Sequence, residues 1–381
     1  MSKRRRVFSW EFRFPVVERL FARQRTIALY HKLGVRKMQF FRWRRQFRRA
    51  GDRRPENRPT HLLMYGMLLI CFGFTLYIFG VLLAVPRNLL NGGKSFLAFN
   101  EWVVWYSGVP VVFGLSLAFV DLFVLLGHKR SPRLEVRRDL IVNRRLVVAL
   151  TAYDDEDSIA DAVRDFKAHP LVDEVIVVSN NSRDHTLERA RNAGATAINE
   201  PQQGYGHCVY RCFQEAVARA QELVVLCEGD RTFRAYDLDK LLAYAPHADI
   251  VNGTRTVERL RARVTQLSTF MYYGNLFVGK LLEAKHVGRT TITDVGTTYK
   301  LCRTEMLVQL LPYLDPAVNL EFNAHFLDVA LARGFDVVEC PITFHPRAGV
   351  SKGGNVDNGR ALKVGLRMVL GITWSWRALR T

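Results

Sequence analysis

Two acidic side chains close a short apolar segment in the second half of the chain. Glu228 and Asp230 flank Gly229 and follow the run 223–227, which has the composition of a buried strand. In open α/β sheets, ligands bind just beyond the carboxyl ends of the strands. Acidic oxygens at such a position suit a divalent metal ion. The pattern therefore predicts a metal site here, and the alternative is a solvated pair of loop carboxylates.

The elements that position this pair follow from the hydrophobic pattern after Asn143, where short β-branched runs alternate with amphipathic stretches. Strands are predicted at Leu146–Leu150, Glu174–Val178, Ala195–Ile198, Leu223–Cys227, Ile250–Asn252, Thr297–Leu301 and Val337–Cys340. Helices are predicted at Asp157–Ala168, Asp184–Asn192, His207–Ala220, Ala235–Ala245, Arg261–Leu282 and Leu320–Ala332. This alternation predicts βαβ units. The fold class is α/β, a Rossmann-like, mainly parallel sheet with a partly antiparallel second half.

Two uncharged segments precede this region. Leu62 to Pro86 carries no charge, and Trp102 to Gly127 is interrupted only by Asp121. A spanning helix needs about 20 apolar residues. Basic residues before the first segment and after the second place both ends in the cytoplasm by the positive-inside rule. The sequence predicts a transmembrane helical hairpin over 61–128, with Asp121 at the cytoplasmic interface.

The net charge of +19 is concentrated before His61, where aromatic residues interleave with lysine and arginine. Such a segment can bind anionic membrane lipids, each basic residue near the surface contributing about 1 kcal/mol. Nucleic acid is also anionic and is an alternative partner. The simplest interpretation is a signal for membrane topology that binds no partner. The six cysteines show no zinc spacing, so free thiols are expected.

The order of motifs along the chain resembles that of family 2 glycosyltransferases of GT-A fold. Within this family it looks most like the polyprenyl-phosphate sugar transferases, typified by dolichol-phosphate mannose synthase. The resemblance covers roughly 144–355. It rests on the segments Thr151–Asp155, Ser179–Asp184, Gly204–Gly206, Glu228–Asp230, Thr293–Tyr299 and His345–Lys352.

The resemblance implies a nucleotide-sugar site at the first strand ends. The residues that it assigns to this site are Thr151, Tyr153, Asp155, Ser179, Asn180, Gly204, Gly229 and Arg255. Ser179 and Asn180 replace paired aspartates of the family, which leaves the base open. The alternative for this run is a turn with Ser182 as a helix cap.

Glu228 and Asp230 stand at the family's Asp-x-Asp, which implies Mn²⁺ or Mg²⁺ shared with the donor diphosphate. Glutamate lengthens the first arm, so Asp230 is the safer ligand. Asp294 stands where the family carries an aspartate facing acceptor and donor sugar, as an orienting or weakly basic group. Glu321 is the second catalytic candidate, with pairing to a buried arginine as its structural alternative.

Arg347, Ser351 and Lys352 match a basic run of the family that binds phosphate, either on the donor or on the acceptor. The alternative is a basic loop that faces lipid headgroups. The stretches 261–285 and 363–376 mix basic with large apolar residues, which is typical of helices in a membrane interface or of core helices.

The prediction is a metal-dependent, inverting glycosyltransferase that moves one sugar from a nucleotide sugar to a polyprenyl phosphate (undecaprenyl, decaprenyl or dolichyl). Its domains are a basic segment 1–60, the hairpin 61–128, a catalytic domain 129–355 and an amphipathic tail 356–381. It would be a multi-pass protein of the cytoplasmic membrane, with the catalytic domain and N-terminus in the cytoplasm. Anionic lipids are expected partners, nucleic acid is not, and homo-oligomerisation is left open.

Two alternatives remain at this point. One is a family 2 enzyme acting on a lipid-linked oligosaccharide or a glycolipid hydroxyl, which needs a true base. The other is a non-catalytic basic membrane adaptor.

Overall fold

The structure is a computed structural model that describes residues 60–89, 94–129, 136–141, 143–219, 221–263, 265–349 and 357–376. The basic segment before Thr60 and the predicted phosphate ligands Ser351 and Lys352 lie outside these ranges. Predictions on those residues therefore stay predictions.

The two apolar segments are long helices. The helical elements are α1 (Leu62–Leu89), α2 (Lys94–Tyr106), α3 (Gly108–Phe119), a π-helical turn (Val120–Leu125) and α4 (Leu126–Lys129). By length and composition, Leu62–Pro86 and Phe96–Lys129 are able to cross a membrane, and 11% of the residues in each most apolar window are buried. The first range agrees with the prediction, whereas the second begins before the predicted Trp102. Helices of a soluble core would be mostly buried.

Glycines let the two helices of the hairpin approach closely. A Cβ at Gly66 would lie 2.6 Å from the carbonyl oxygen of Gly114, and a Cβ at Gly114 would lie 2.6 Å from that of Gly66. Gly73 and Gly80 continue the contact along α1 at seven-residue spacing, against Ser107 and Val104 respectively. Small residues at helix–helix contacts are typical of membrane proteins, where backbones pack directly.

Asp121 fastens one end of the hairpin. It is fully buried, accepts a hydrogen bond from the amide of Leu63 at 2.7 Å and forms an ion pair with Lys129. The side chain lies at the end of the hairpin where it was predicted, and it is buried because it satisfies a free amide at the start of α1. Asn100 makes a comparable contact farther along, donating to the carbonyl oxygen of Gly80 at 2.5 Å.

The catalytic region is built on a seven-stranded sheet in the order β3-β2-β1-β4-β6-β5-β7. Its strands are β1 (Leu146–Ala152), β2 (Val172–Ser179), β3 (Thr196–Asn199), β4 (Leu223–Glu228), β5 (Ile250–Thr254), β6 (Lys300–Arg303) and β7 (Val337–Pro341). The strand β6 runs antiparallel to β4 and β5, and the other pairings are parallel. The predicted mainly parallel α/β fold with a partly antiparallel half is confirmed.

Helices cover both faces of this sheet. They are α5 (Ile159–Lys167), α6 (Thr186–Asn192), α7 (Tyr205–Ala218), α8 (Leu238–Tyr244), α9 (Thr269–Lys285), α10 (Thr304–Leu310), α11 (Phe322–Ala332) and α12 (Asn358–Thr373). Alternate residues of β4 serve two cores: Val224 and Leu226 pack with α7, α9 and α11, whereas Val225 and Cys227 pack with α5 and α8. This alternation is that of a strand buried on both faces.

Predicted element boundaries after Asn143 differ from the structure by a few residues, and three differences affect the interpretation. The helix expected from Arg261 begins at Thr269, where Ser268 caps it by accepting from the Met271 amide at 3.2 Å. Arg261 itself is in extended backbone and forms a β-bridge with Phe344. Ser182 is not a helix cap, since α6 begins at Thr186. The strand expected from Thr297 begins at Lys300.

Candidate active site

The carboxyl ends of β1, β2 and β4 meet at one edge of the sheet. The amide of Gly229 donates to the carbonyl of Thr151 at 2.9 Å, and the amide of Asn180 donates to that of Ala152 at 2.9 Å. A Cβ at Gly229 would lie 2.5 Å from Ile159 Cδ1, so a larger residue between the two acidic residues would have to displace the end of that side chain. The sequence motifs that follow these strands are thereby brought together as predicted.

The loops at this edge contain strained backbone. Asp154, Asn181 and Arg231, which follow β1, β2 and β4, adopt positive φ values of 49°, 59° and 67°. Non-glycine residues avoid this region at a free-energy cost of about 1–3 kcal/mol, and such outliers cluster at ligand sites. All three loops lie at the edge of the sheet that carries the candidate site residues.

Arg347 lies among the carboxylates of this edge. Its Nη2 donates to Asp155 Oδ1 at 2.7 Å, and its Nη1 lies 3.2 Å from Asp230 Oδ2. Burial would lower the pKa of Arg347, but the charges of Asp230, Asp155 and Glu228 raise it above the ordinary value. The predicted phosphate ligand therefore lies beside the predicted metal ligands.

The two carboxylate oxygens of Asp230 differ in their hydrogen bonds. Oδ1 accepts from the amide and the hydroxyl of Thr232 at 3.0 and 2.6 Å. Oδ2 is buried and accepts no hydrogen bond from the described residues. Burial, followed by repulsion from Glu228, raises the pKa of Asp230 to about 6. A buried carboxylate oxygen without a hydrogen-bond donor fits a divalent cation.

One carboxylate oxygen of Glu228 also accepts a hydrogen bond from the protein. Its Oε1 accepts from the hydroxyl of Thr298 at 2.6 Å, and Thr298 is in turn contacted by the Tyr205 hydroxyl at 2.6 Å. Among the described residues, no group of three or more histidine, cysteine or acidic side chains is placed to hold a metal. Two carboxylates suit a cation that takes its other ligands from substrate phosphates and water.

Asp294 is paired with Arg255. The guanidinium donates to both carboxylate oxygens, at 2.7 Å from Nε and 2.8 Å from Nη2, and Asn275 donates as well. Burial alone would raise the pKa of Asp294, but the charge and hydrogen bonds of Arg255 hold it below the ordinary value. An ionised carboxylate with this many donors is a weak base. Of its two predicted roles, the geometry favours the orienting one.

Glu321 precedes α11 and is also buried. Its Oε1 lies 2.6 Å from Arg367 Nε, on α12. The geometry favours the structural alternative, since the carboxylate ties α12 to the catalytic core.

The polar side chains after β2 contact the protein itself. Ser179 is fully buried and donates to Ser182 at 2.6 Å. The amide group of Asn180 accepts from the Gly204 amide at 2.8 Å and donates to the carbonyl of Gln202 at 2.8 Å. Asn180 therefore positions the glycine turn, and this contact explains why the turn lies at the site. Thr151 is also buried, and Tyr153 donates its amide to Asp155 at 3.0 Å.

A cavity of about 430 Å³ opens between the loops that follow β1 and β2 and the segment after Arg347. Its lining residues are Asp154, Asp155, Glu156, Asp157, Ser158, Arg183, Asp184, Ala348 and Gly349. The cavity adjoins the carboxylate cluster through Asp155. A ligand lying in it would reach toward Arg347.

Sequence reasoning missed Lys300 and its partners. Lys300 is fully buried and donates to the carbonyl of Thr297 and to Asn323 Oδ1 at 3.2 Å. Burial lowers the pKa of Lys300 to about 7. The sequence signal was a single lysine inside the otherwise apolar run from Tyr299 to Cys302. A buried strand does not need a charged residue at such a position.

Residues 147–311 match the family described as "Glycosyl transferase family 2". The chain is 26% identical over 208 residues to a dolichyl-phosphate hexose transferase of Haloferax volcanii, covering 54% of this chain and 86% of that protein. It is 30% identical over 112 residues to Protein RfbJ of Shigella flexneri, covering 29% of this chain and 84% of that protein.

Among solved structures, similarity extends to glucosyl-3-phosphoglycerate synthase from Mycobacterium tuberculosis in complex with Mn²⁺, uridine diphosphate and phosphoglyceric acid. The TM-score is 0.43 at 18% identity, with coverage of 60% of this chain and 78% of that chain. The predicted resemblance to dolichyl-phosphate sugar transferases is confirmed by the family match and the named relatives. The chain is a glycosyltransferase that belongs to glycosyl transferase family 2.

Proposed function

We propose that this glycosyltransferase moves one sugar from a nucleotide sugar to a polyprenyl phosphate at the cytoplasmic face of a membrane, with inversion at the anomeric carbon. The observation that carries the proposal is the attachment of the active-site fold to the apolar hairpin. His61, just before α1, hydrogen-bonds to the carbonyl of Lys285 at the end of α9 at 2.9 Å. The catalytic edge and the candidate spans thus belong to one packed unit.

Glu228 and Asp230 would hold Mg²⁺ or Mn²⁺, with Asp230 Oδ2 as the buried oxygen that accepts no hydrogen bond from the described residues. When bound, the cation supplies positive charge that stabilises the departing nucleoside diphosphate. Arg347 would donate hydrogen bonds to the same diphosphate, because its guanidinium lies beside the carboxylates of Asp155 and Asp230. The cavity beside Asp155 is of a size for the nucleoside.

Asp294 and Arg255 would orient the sugar and the acceptor. A lipid monophosphate has a second pKa of about 6 and is largely dianionic at neutral pH. It therefore attacks without a strong base, and alignment of the reacting atoms supplies much of the rate. The lowered pKa of Asp294, set by Arg255 against the effect of burial, agrees with such a reaction. A hydroxyl acceptor would need a better base than this carboxylate.

The helices α9 and α12 present apolar side chains to the surface beside the hairpin. These exposed residues, which we call the apolar face, are Phe270, Tyr273, Phe277, Leu362, Leu366, Leu370 and Trp374. On α12 they recur every four residues, so they share one side of the helix. A helix of this kind lies in the membrane interface with its apolar side down. The face supports a lipid acceptor at the active site.

The named relatives support the acceptor class, since one is called a dolichyl-phosphate hexose transferase. The proposal includes the predicted domain limits, the cytoplasmic N-terminus and the multi-pass arrangement. The basic segment 1–60 would bind anionic lipids at the same surface. Ser351 and Lys352 would add charge to the phosphate site near Arg347.

The test is incubation of the purified full chain with a panel of nucleotide sugars, Mn²⁺ and a polyprenyl phosphate, followed by mass analysis of the lipid fraction. We expect a glycosylated lipid phosphate that disappears in Asp230→Asn. A parallel reaction contains a glycolipid with free hydroxyl groups and no lipid phosphate. Product only in the glycolipid reaction would refute a polyprenyl phosphate as the acceptor. Product in neither reaction would refute transfer to a lipid.

A further inference from the structure

A chain of buried and partly buried hydrogen bonds runs from Lys300 to Glu228. Lys300 Nζ lies 3.2 Å from Asn323 Oδ1, and Asn323 Nδ2 lies 3.0 Å from the Tyr205 hydroxyl. The Tyr205 hydroxyl lies 2.6 Å from Thr298 Oγ1, which lies 2.6 Å from Glu228 Oε1. The four residues that precede Glu228 come from β6, α11, α7 and the turn before β6.

The direction of every bond in this chain is determined by its two ends. Asn323 presents its oxygen to Lys300, which donates to it, and its amino group to Tyr205. An ionised carboxylate only accepts, so Thr298 must donate to Glu228 and accept from Tyr205. All donors therefore point from the lysine toward Glu228. Such aligned bonds polarise and strengthen one another in a buried site.

The chain of hydrogen bonds also bears on position 228, where this sequence has glutamate in place of the family's aspartate. Glutamate has one more rotatable bond than aspartate, so its carboxylate is less well placed by the backbone alone. Thr298 holds Oε1, and no hydrogen bond from the described residues occupies Oε2. Thr298 thereby fixes one oxygen of the longer side chain.

We propose that Thr298, Tyr205, Asn323 and Lys300 are positioning residues that hold Glu228 ready to bind the divalent cation. The inference rests on the proposed function, because it takes Glu228 as a metal ligand. Partners behind a metal ligand fix its orientation, and their loss typically weakens metal affinity by about 10–100-fold. The same amide of Asn323 also donates to the Gly296 carbonyl at 3.2 Å, which links this set to the turn after Asp294.

The experiment measures binding of Mn²⁺ alone to the full-length protein by electron paramagnetic resonance, where free Mn²⁺ is counted directly. Thr298→Val removes the donor to Glu228 at nearly constant volume, and we expect Mn²⁺ affinity to fall about ten-fold or more. Thr298→Ser keeps the hydroxyl and is expected to restore the affinity. Tyr205→Phe is expected to weaken binding by a smaller factor, since Thr298 loses the bond from Tyr205 but keeps its own bond to Glu228.

The matched control is Thr196→Val on β3. Thr196 also donates to a glutamate, Glu174, at 2.7 Å, but at a site remote from the metal ligands, so Mn²⁺ affinity should not change. Equal Mn²⁺ binding by wild type and Thr298→Val would overturn the inference. If Thr298→Val does not fold, as judged from its thermal midpoint, unchanged binding by Tyr205→Phe overturns it instead.

Glu228→Gln separates this inference from the proposed function. Loss of Mn²⁺ binding in Glu228→Gln, together with wild-type binding in Thr298→Val, would refute the positioning set and leave the metal site in place. Unchanged binding in Glu228→Gln would show that Glu228 is not a metal ligand and would refute the positioning role, while a metal site at Asp230 would still stand.

Discussion

Arg347 lies 3.2 Å from the buried Oδ2 of Asp230, the oxygen that no described residue hydrogen-bonds. The same atom is the one proposed to bind the cation. A guanidinium and a cation that both contact this oxygen would repel each other, whereas both attract a diphosphate. The position of Arg347 therefore predicts opposite effects of its removal on the two ligands.

Arg347→Met is expected to weaken binding of a nucleoside diphosphate by roughly 10–100-fold, since hydrogen bonds to charged groups contribute about 1.5–3 kcal/mol. Mn²⁺ binding in the absence of nucleotide is expected to strengthen by roughly two- to ten-fold, as about 1 kcal/mol of repulsion is removed. Calorimetry at pH 8, where Asp230 is ionised, measures both affinities. A parallel loss of both would mean that Arg347 only supports the fold.

The Asp294–Arg255 pair predicts strong non-additivity. Arg255→Met leaves the fully buried Asp294 without its bidentate partner, which is expected to cost about 3–5 kcal/mol of stability. Asp294→Leu leaves a buried guanidinium and is expected to cost a similar amount. The double variant loses both charges, so its thermal midpoint should lie well above the value expected from adding the two single effects. Additive effects would contradict the pairing.

The same pair shows what the sequence was able to predict. Buried runs such as those of β1 and β4 were assigned correctly, because their length and flanking polar residues identify the carboxyl ends where the site forms. Arg255 and Asp294 were both singled out, but their bond joins two segments 39 residues apart. Periodicity carries no information about such a contact. The chain through Tyr205 and Asn323 was missed for the same reason.

The packing of the two hairpin helices was also not predictable from the sequence pattern. Hydropathy predicted the two apolar segments, but the glycines at 66, 73 and 80 acquire meaning only once their partners on the returning helix are known. The start of α9 was placed too early because Arg261 is held in extended backbone by Phe344. In both cases a contact with a distant segment decides the local structure.

Asp328 predicts a pH-dependent stability of the junction between the hairpin and the catalytic fold. It is buried and accepts from Lys285 and His286, both at 2.8 Å, and from Trp376 Nε1 at 2.7 Å. Burial would raise the pKa of Asp328, but these partners hold it below the ordinary value. A carboxylate with a lowered folded-state pKa contributes stability above its unfolded pKa of about 4, and loses it as the pH falls further.

The thermal midpoint of Asp328→Asn should therefore lie below that of the wild type at pH 7, and the difference should shrink as the pH falls below about 4. Differential scanning fluorimetry of the detergent-solubilised chain measures both midpoints across this range. A difference that stays constant with pH would mean that Asp328 acts through shape and not through charge.

The hairpin contact at Gly66 predicts a steric effect. A Cβ there would meet backbone of Gly114 at 2.6 Å, so Gly66→Ala must push the helices apart. We expect a lower thermal midpoint, by the equivalent of about 1–3 kcal/mol for overpacking. Gly108→Ala is the matched control, because a Cβ at Gly108 meets nothing within 4 Å. Alanine favours the helix by about 1 kcal/mol over glycine, so this variant should be no less stable than the wild type.

The apolar face predicts a defect that depends on the acceptor and not on the chemistry. Leu366→Glu places a charge at an exposed position of α12 (the leucine is 56% exposed), so folding should be little affected. Transfer to a long polyprenyl phosphate in anionic vesicles is expected to fall at least ten-fold through weaker membrane docking. Transfer to a short-chain, detergent-soluble prenyl phosphate should remain near the wild-type rate. Tyr244→Glu is the control: Tyr244 is also exposed, but α8 packs on the other face of the sheet. Equal losses with both acceptors would assign Leu366 to the fold and remove the apolar face as a membrane contact.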